Sequence, residues 1–333
     1  MRKIDRTLSV APMMNWTDRH CRYFNRLLSE NVLLFTEMIT ASAVVKGDRL
    51  SLLGFHPRER PLVLQLGGSD LYELSEATKI GFDFGYDEVN LNVGCPSGKV
   101  QCGCFGAVLM KQPKLVADCV RAMKNSASNG QISVKCRIGV DDQRPELELP
   151  RFLEEVVGAG ADSVTIHARK ALLKKLSPKE NRVIPELDYP LVISMVELFP
   201  SVELCINGGI KDLDTVENML SLGFAGVMIG RAAYNNTREI LLKADEKIFK
   251  TGFNEYVITK FIDETLSYID DELRKGVKIN RLTRHLAGTF NGLIGAKRFR
   301  KILLQDCTLP NFRLEILRNA MQGIVEKNKE FWV

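Results

Sequence analysis

Residues 203–232 read ELCINGGIKDLDTVENMLSLGFAGVMIGRA. Two short apolar runs, 203–209 and 226–232, flank a segment at 212–222 whose apolar residues recur at helical spacing. A strand, a helix and a strand in such quick succession pair in parallel through a right-handed crossover. Working backwards, the same unit recurs. Strand-like runs stand at SVAPM (9–13), LLFTEM (33–38), LVLQLG (62–67), EVNLNVG (88–94), ISVKCRI (132–138) and SVTIHA (163–168). Amphipathic helices fit between them at Asp70–Phe84, Lys114–Ser126, Arg151–Ala159 and Asp212–Leu222. Eight strands alternating with helices predict an α/β fold, a (β/α)8 TIM barrel, over an open doubly wound sheet. The runs are mostly apolar along their length, as strands covered on both faces should be.

Beyond Arg231 the texture changes. REILLKADEKIF, TKFIDETLSYIDDEL, RFRKILLQ and RLEILRNAMQGIVEKNKEF all read as helix, and strand signals cease. The expectation is a barrel over residues 1–237 and a C-terminal all-helical domain over 238–333. Basic residues thicken there: Lys275, Lys278, Arg281, Arg284, Lys297, Arg298, Arg300 and Lys301. Phe290 and Phe299 interleave with them, a pattern of nucleic-acid-binding faces.

With 45% apolar residues in 333, the chain can bury a large core and is not disordered. No window approaches the ~20 uncharged apolar residues of a membrane span. The opening MRKIDRTLSVAPMM lacks the apolar segment and cleavage site of a secretory signal, which predicts a cytoplasmic location. Eight cysteines in such a chain are expected to be reduced. The formal charge of +5 permits an anionic partner without requiring one.

Function in such a barrel sits at the C-terminal strand ends. There stand Ala11-Pro12-Met13, Glu37-Met38, Gln65, Asn90 and Asn92 with Cys95, Lys135 and Arg137, His167 with Arg169, Asn207-Gly208-Gly209, and Gly230-Arg231. Packing alone would not select Lys135 inside SVKCRI. Glycines after the last two strands, with Arg231, mark the usual barrel phosphate site, which would admit FMN, a sugar phosphate or a nucleotide. Cys95 lies between Gly94 and Pro96 at a strand mouth, an address that a packing cysteine does not need. Cys102 and Cys104 form a CxC without a second ligand pair, so no metal is expected.

The blocks APMMNWTDRHCRYF, TEM, LQLGGSD, YDEVNLNVGCPSGKVQCGCFGAVLM, VKCRIGVDD, IHARKALLKKLSPKENR, PELDYP, INGGIK, GVMIGRAAY and RHLAGTFNGLIGAKRFRKIL occur in one order from about residue 8 to residue 305. Together they resemble the tRNA-dihydrouridine synthases, specifically the bacterial A subfamily. The resemblance implies an oxidoreductase, a flavoprotein that binds FMN in the barrel and tRNA on the helical domain. The implied reaction reduces the C5–C6 bond of D-loop uridines, at positions 20 and 20a, with NADPH as electron donor. It implies that Ala11, Pro12 and Met13 line the flavin and that Gln65, Lys135 and His167 hydrogen-bond it. Asn207, Gly208, Gly209, Gly230 and Arg231 would hold its phosphate end. Cys95 would donate the proton, and Asn92 and Arg137 would face the uracil. Lys179, Arg182, Lys297 and Arg300 match positions that read tRNA. Lys99 and Lys297 stand where the subfamily commonly has Arg, and Leu172 and Phe299 where it commonly has Trp.

These roles cohere chemically. Reduction at C6 leaves enolate-like charge at C5, which needs a proton. A free thiol titrates near ~8.5, so it is mostly protonated at neutral pH and can serve as the acid. The base must leave its stack to reach the barrel, and the helical domain would grip the RNA by phosphates and shape. Two other readings compete: an FMN barrel that reduces a small molecule, and a tRNA-binding module without catalysis. A monomer is expected. The sequence holds no Rossmann-type dinucleotide fingerprint that would distinguish NADPH from NADH.

Overall fold

Each of the short apolar runs forms a strand: β1 (Leu8–Val10), β2 (Leu34–Thr40), β3 (Leu62–Gly67), β4 (Glu88–Val93), β5 (Gln131–Arg137), β6 (Ser163–His167), β7 (Glu203–Asn207) and β8 (Gly226–Ile229). The computed structural model describes residues 4–97, 105–127, 129–252 and 257–331. Every strand pair is parallel, in the order β1-β8-β7-β6-β5-β4-β3-β2. The seam between β1 and β2 closes just before β2. Ser9 bridges Leu33, Val10 N donates to Leu33 O at 2.9 Å, and Leu33 N donates to Leu8 O at 3.0 Å.

The crossover helices start where local chemistry dictates. Asp70, Asp188 and Asp212 cap helices Leu71–Asp83, Tyr189–Leu198 and Leu213–Ser221, each accepting a backbone N–H. Proline opens helices Pro113–Ser126 and Pro145–Gly158, where its missing N–H costs nothing. The latter helix begins six residues before the expected Arg151 and carries Pro150 within it.

Strand alternation sorts the side chains. Leu91, Val93, Val134, Cys136, Val164 and Ile166 point outward and are fully buried under the helices. Each of the Leu, Val and Ile side chains contributes about 1.5–3 kcal/mol. The inward face is divided: Leu33, Phe35, Val63 and Met228 belong to a small apolar cluster of their own, whereas β4, β5 and β6 turn polar side chains inward. Arg6 joins Glu88 at 2.6 Å and Glu203 at 3.3 Å near the strands' N-terminal ends. Glu88 accepts from Ser133, Ser133 from Asn90 (2.8 Å), Asn90 from Gln65 (2.8 Å), and Gln65 from Asn92 (2.9 Å). From Glu88 a ladder of hydrogen-bonded polar groups therefore climbs the barrel towards the C-terminal ends.

Past β8 the described chain is helical. Its longest helix, Val257–Arg274, packs on Arg19–Leu28 of the barrel, with Tyr23 and Tyr268 stacked at 3.9 Å. The apolar core runs without a break from the barrel into these helices. Phe290 and Phe299 belong to that core. Each is 1% exposed, and they meet edge-to-face at 5.0 Å. They are therefore not the interleaved surface aromatics that the sequence pattern led us to expect; packing between helices claims them. Among the described residues no helix is long and apolar enough to cross a membrane.

Candidate active site

A cavity of about 670 Å³ opens at the C-terminal ends of the strands. It is lined by Ala11, Pro12, Met13, Asn92, Cys95, Lys135, Arg137, His167, Arg182, Asn207, Gly208, Gly209, Gly230 and Arg231, all singled out by sequence. The register explains part of this convergence. Arg137, His167 and Asn207 are successive partners across β5, β6 and β7, and Asn92 pairs with Lys135. Among the described residues no acidic side chain lines the cavity, whereas Lys135, Arg137, Arg169, Arg182, Lys211 and Arg231 do. Such a field favours an anionic ligand.

Burial, reinforced by the charge of Arg137, lowers the Lys135 ammonium to about 8. Its Nζ donates to Asn207 Oδ1 at 3.1 Å, and Asn207 Nδ2 donates to Met228 O at 2.7 Å. Burial, then Arg137 and Lys135, pushes His167 well below the ordinary imidazole value, so the ring is neutral at physiological pH. Its Nδ1 is enclosed and has no hydrogen-bond partner among the described residues. An unsatisfied polar atom on a cavity wall is a contact awaiting a ligand.

The glycines shape the same wall. Gly208 and Gly209 adopt φ of 113° and 75°. A Cβ on Gly208 would stand 3.3 Å from His167 Nε2, and one on Gly209 would stand 2.5 Å from Leu187 Cδ1. Only glycine combines those backbone angles with so close an approach.

Cys95 sits on a braced corner. Asn92 Oδ1 accepts the N–H groups of Gly94 (3.1 Å) and Cys95 (2.9 Å). Arg137 Nε donates to Gly94 O at 3.0 Å, and Ala107 N to Cys95 O at 2.9 Å. Cys95 is half-buried on the cavity, whereas Cys21, Cys119, Cys136, Cys205 and Cys307 are buried. Cys102, Cys104 and Lys99 lie outside the described residues.

Asn92 and Arg137 line the cavity but are 7% and 3% exposed. Their polar atoms are largely engaged in building this corner. Arg137 Nη1 also donates to Lys170 O (2.9 Å) and Asn181 O (3.0 Å). Asn181, fully buried, ties residues 172–181 together: its Oδ1 accepts Leu172 N, and its Nδ2 donates to the carbonyls of Leu172, Leu176 and Ser177. The loop it organises carries exposed Lys179 and Arg182, and Arg182 O accepts from Arg231 at 3.1 Å.

Four of the residues singled out by sequence lie off the cavity wall, three of them assigned to tRNA rather than to the flavin. Gln65 is 1% exposed and is held in the polar ladder beneath Asn92, off the cavity wall. Lys179 is exposed beyond the rim. Lys297 and Arg300 lie on the Ala296–Leu304 helix, outside the cavity. Conversely, Met14, Trp16, Arg169, Lys211, Asn235 and Asn236 line it without having been assigned a role. Arg169 was visible at a strand end; Asn235 closes the short Arg231–Asn235 helix, and the others lie in irregular segments whose aim no periodicity reports.

The comparisons agree with this geometry. The family model described as Dihydrouridine synthase (Dus) matches residues 9–324. A Synechocystis protein named tRNA-dihydrouridine(20/20a) synthase is 47% identical over 316 residues, covering 95% of this chain and 94% of its own. Proteins of the same name from Shewanella oneidensis and Escherichia coli are 44% and 45% identical, over 97% and 96% of this chain and 95% and 92% of theirs. Among solved structures, an old yellow enzyme homologue from Zymomonas mobilis superposes with a TM-score of 0.54 at 11% identity, over 77% of this chain and 92% of its own. Morphinone reductase gives 0.53 at 10%, over 77% and 90%. These two share the barrel. With the family model spanning the barrel, the cavity and most of the C-terminal helices, the chain belongs to the dihydrouridine synthase family.

Proposed function

We propose that this chain reduces the C5–C6 bond of D-loop uridines in tRNA, at positions 20 and 20a, with FMN as cofactor and NADPH as electron donor. The observation that carries the reading is the half-buried thiol of Cys95, held on a rigid corner in the same cationic cavity as Lys135 and neutral His167. The similar proteins named tRNA-dihydrouridine(20/20a) synthase support the substrate.

The residues fit a flavin mononucleotide. The unpartnered His167 Nδ1 and the Lys135 ammonium offer polar contacts, and Gly208, Gly209 and Arg231 offer a backbone cradle and a cation for a phosphate. Ala11, Pro12, Met13, Asn207 and Gly230 would complete that wall. When bound, FMN supplies the reducing equivalent that uracil C6 takes up.

The protein's own part is positioning and proton transfer. Cys95 Sγ–H gives its proton to C5 as the new C–H bond forms, and the thiolate regains a proton from solvent. Asn92 and Arg137 fix the backbone around that sulfur and so limit its drift. Outside the cavity, the helices over residues 238–333 would bind tRNA through Lys297 and Arg300, with Lys179 and Arg182 at the rim, mostly by phosphate contacts.

The test is direct. The purified protein is expected to be yellow, to bleach with NADPH, and to regain colour without oxygen when unmodified tRNA is added, with dihydrouridine detected by mass spectrometry. A flavin that ignores tRNA would overturn the reading in favour of a small-molecule reductase. A colourless protein that binds tRNA would overturn it in favour of a binding module.

A further inference from the structure

The loop leaving β1 carries Met13, Met14 and Trp16 into the cavity wall. The backbone N–H groups of Trp16 and Thr17 both donate to Met13 O at 3.0 Å, and Met13 N donates to Thr17 Oγ1 at 3.0 Å. Asn15 stands at φ 64°, its backbone N–H donating to the Glu37 carboxylate midway along β2. This non-glycine residue in the left-handed region is held there by a specific partner. The loop is thus braced, and Trp16 has a defined address.

One face of the indole is already covered. Tyr234 stacks on Trp16 with ring centroids 4.6 Å apart and planes 26° apart. Behind Tyr234 a buried relay leads into the C-terminal helices. The Tyr234 hydroxyl lies 3.1 Å from His285 Nδ1, and His285 Nε2 lies 3.0 Å from Asp18 Oδ2. The His285 side chain is fully enclosed. Asp18 Oδ1 caps the Arg19–Leu28 helix by accepting His20 N and Cys21 N, and Arg284 donates to Asp18 Oδ2 at 2.7 Å. Burial by itself would raise the Asp18 carboxyl, but His285 and Arg284 hold it well below the usual carboxylate range. Arg284 closes the relay at both ends: its Nε donates to His285 Nε2 at 3.1 Å, and its carbonyl oxygen accepts from the Tyr234 hydroxyl at 3.4 Å.

The same seam is fixed twice more. A Cβ at Gly288 would stand 2.1 Å from Tyr234 O and 2.9 Å from Asn235 O, so the backbone beyond His285 presses directly on the helix that bears Tyr234. Asn291 Nδ2 donates to Asn236 Oδ1 at 2.7 Å, and Arg300 Nη1 donates to Asn291 Oδ1 at 3.3 Å. Asn235 and Asn236 line the cavity. Two hydrogen bonds therefore separate a cation of the basic helix from the cavity wall.

We propose that Trp16 is a further RNA-contacting residue, a platform for an unstacked nucleobase at the cavity, and that Tyr234 and His285 are positioning residues that hold it from the C-terminal helices. The proposal rests on the reading that this chain acts on RNA. An aromatic surface in a cationic concavity suits a base because every base has a π-face to offer. Anchoring that surface in the C-terminal helices makes seating the RNA and receiving the base a single geometrical event. A tryptophan serving the core alone would be buried; Trp16 is half-exposed and opens on the cavity.

The test uses the full chain with its flavin, in a Trp332→Phe background that leaves Trp16 as the sole tryptophan. An unmodified tRNA transcript bound to the parent is expected to shield Trp16 from acrylamide quenching. Trp16→Leu is expected to weaken transcript binding about tenfold while retaining flavin. Tyr234→Phe, which keeps the ring and loses the hydroxyl, and His285→Gln are expected to raise KM for the transcript several-fold with little change in kcat, and to make Trp16 more accessible to acrylamide. A merely structural role would lower the melting temperature without moving KM or the quenching at 25 °C. Unchanged transcript affinity in Trp16→Leu, or no shielding of Trp16 by bound transcript, would overturn the proposal. A parent protein that leaves uridine unreduced would instead refute the functional reading, so the parent is scored before any variant.

Discussion

The side-chain oxygen of Asn92 accepts the backbone N–H of Cys95 at 2.9 Å, and its Nδ2 donates to Gln65 Oε1 at 2.9 Å. One carboxamide thus joins the cysteine corner to the polar ladder inside the barrel. Asn92→Ala leaves two corner N–H groups without their acceptor. We expect kcat on tRNA to fall by roughly 10²-fold, the scale set by misplacing a catalytic group. Asn92→Asp keeps the acceptor and should recover part of the loss. The check is single-turnover reduction of tRNA, read beside the rate of Cys95 alkylation by peptide mapping. Equal turnover in both variants and the wild type would show that the corner needs no such brace.

Cys95→Ala should retain flavin and bind tRNA normally, yet lose most uridine reduction. Mass spectrometry of dihydrouridine after a fixed time decides it. Turnover near that of the wild type would remove Cys95 from the proton-donor role.

Lys135 titrates near 8, against 10.5 for a free lysine, chiefly because it is buried. Below pH 8 the folded cavity holds a charge it disfavours. Between about pH 8 and 10.5 the unfolded chain binds more protons than the folded one, so stability rises with pH across that window. The gain from this one group is at most about 3 kcal/mol. Lys135→Met should therefore stabilise the cofactor-free protein at pH 7 and weaken its hold on flavin. Thermal melts at pH 7 and pH 9.5 check this: the advantage of the variant should shrink at the higher pH.

His167 lies well below the ordinary imidazole value because it is buried beside Arg137 and Lys135. Its ring resonances should stay flat from pH 8 down to 5.5 in an NMR titration. A midpoint near 6.5 would contradict the neutral ring on which the cavity's chemistry depends.

Lys297→Glu with Arg300→Glu should weaken tRNA binding and lower the slope of log affinity against log salt by about 2. The flavin spectrum should not change, because both residues lie outside the cavity. Unaltered tRNA affinity at physiological salt would take this helix out of the binding surface.

Much of the fold was legible because strand and helix periodicities are local. LVLQLG at 62–67 is β3 residue for residue, and the Asp70 and Asp212 caps mark the helix starts. Most cavity residues were legible too, because barrel strands aim their C-terminal ends at one place. What the sequence did not show has one cause. Gln65 reads like any strand-end polar residue, and only the register shows that Asn90 and Asn92 claim its amide. Phe290 and Phe299 alternate with bases along the chain, yet both rings turn inward, Phe299 from the Ala296–Leu304 helix and Phe290 from the turn before it.

By itself, the sequence determined that this chain forms a parallel barrel followed by helices, and that thiol, lysine, histidine and glycines meet at one end. Repeating patterns specify elements, and the topology of parallel crossovers specifies which end they share. Tertiary structure alone decided which polar groups are spent on the scaffold and which remain for a ligand. Asn92 and Arg137 are largely consumed in holding Cys95, whereas His167 Nδ1 has no partner among the described residues. It also decided that Trp16, Tyr234 and His285, from three separate segments, stand in one file. Such contacts join residues distant in sequence, so no local pattern announces them; they exist only once the chain has closed on itself.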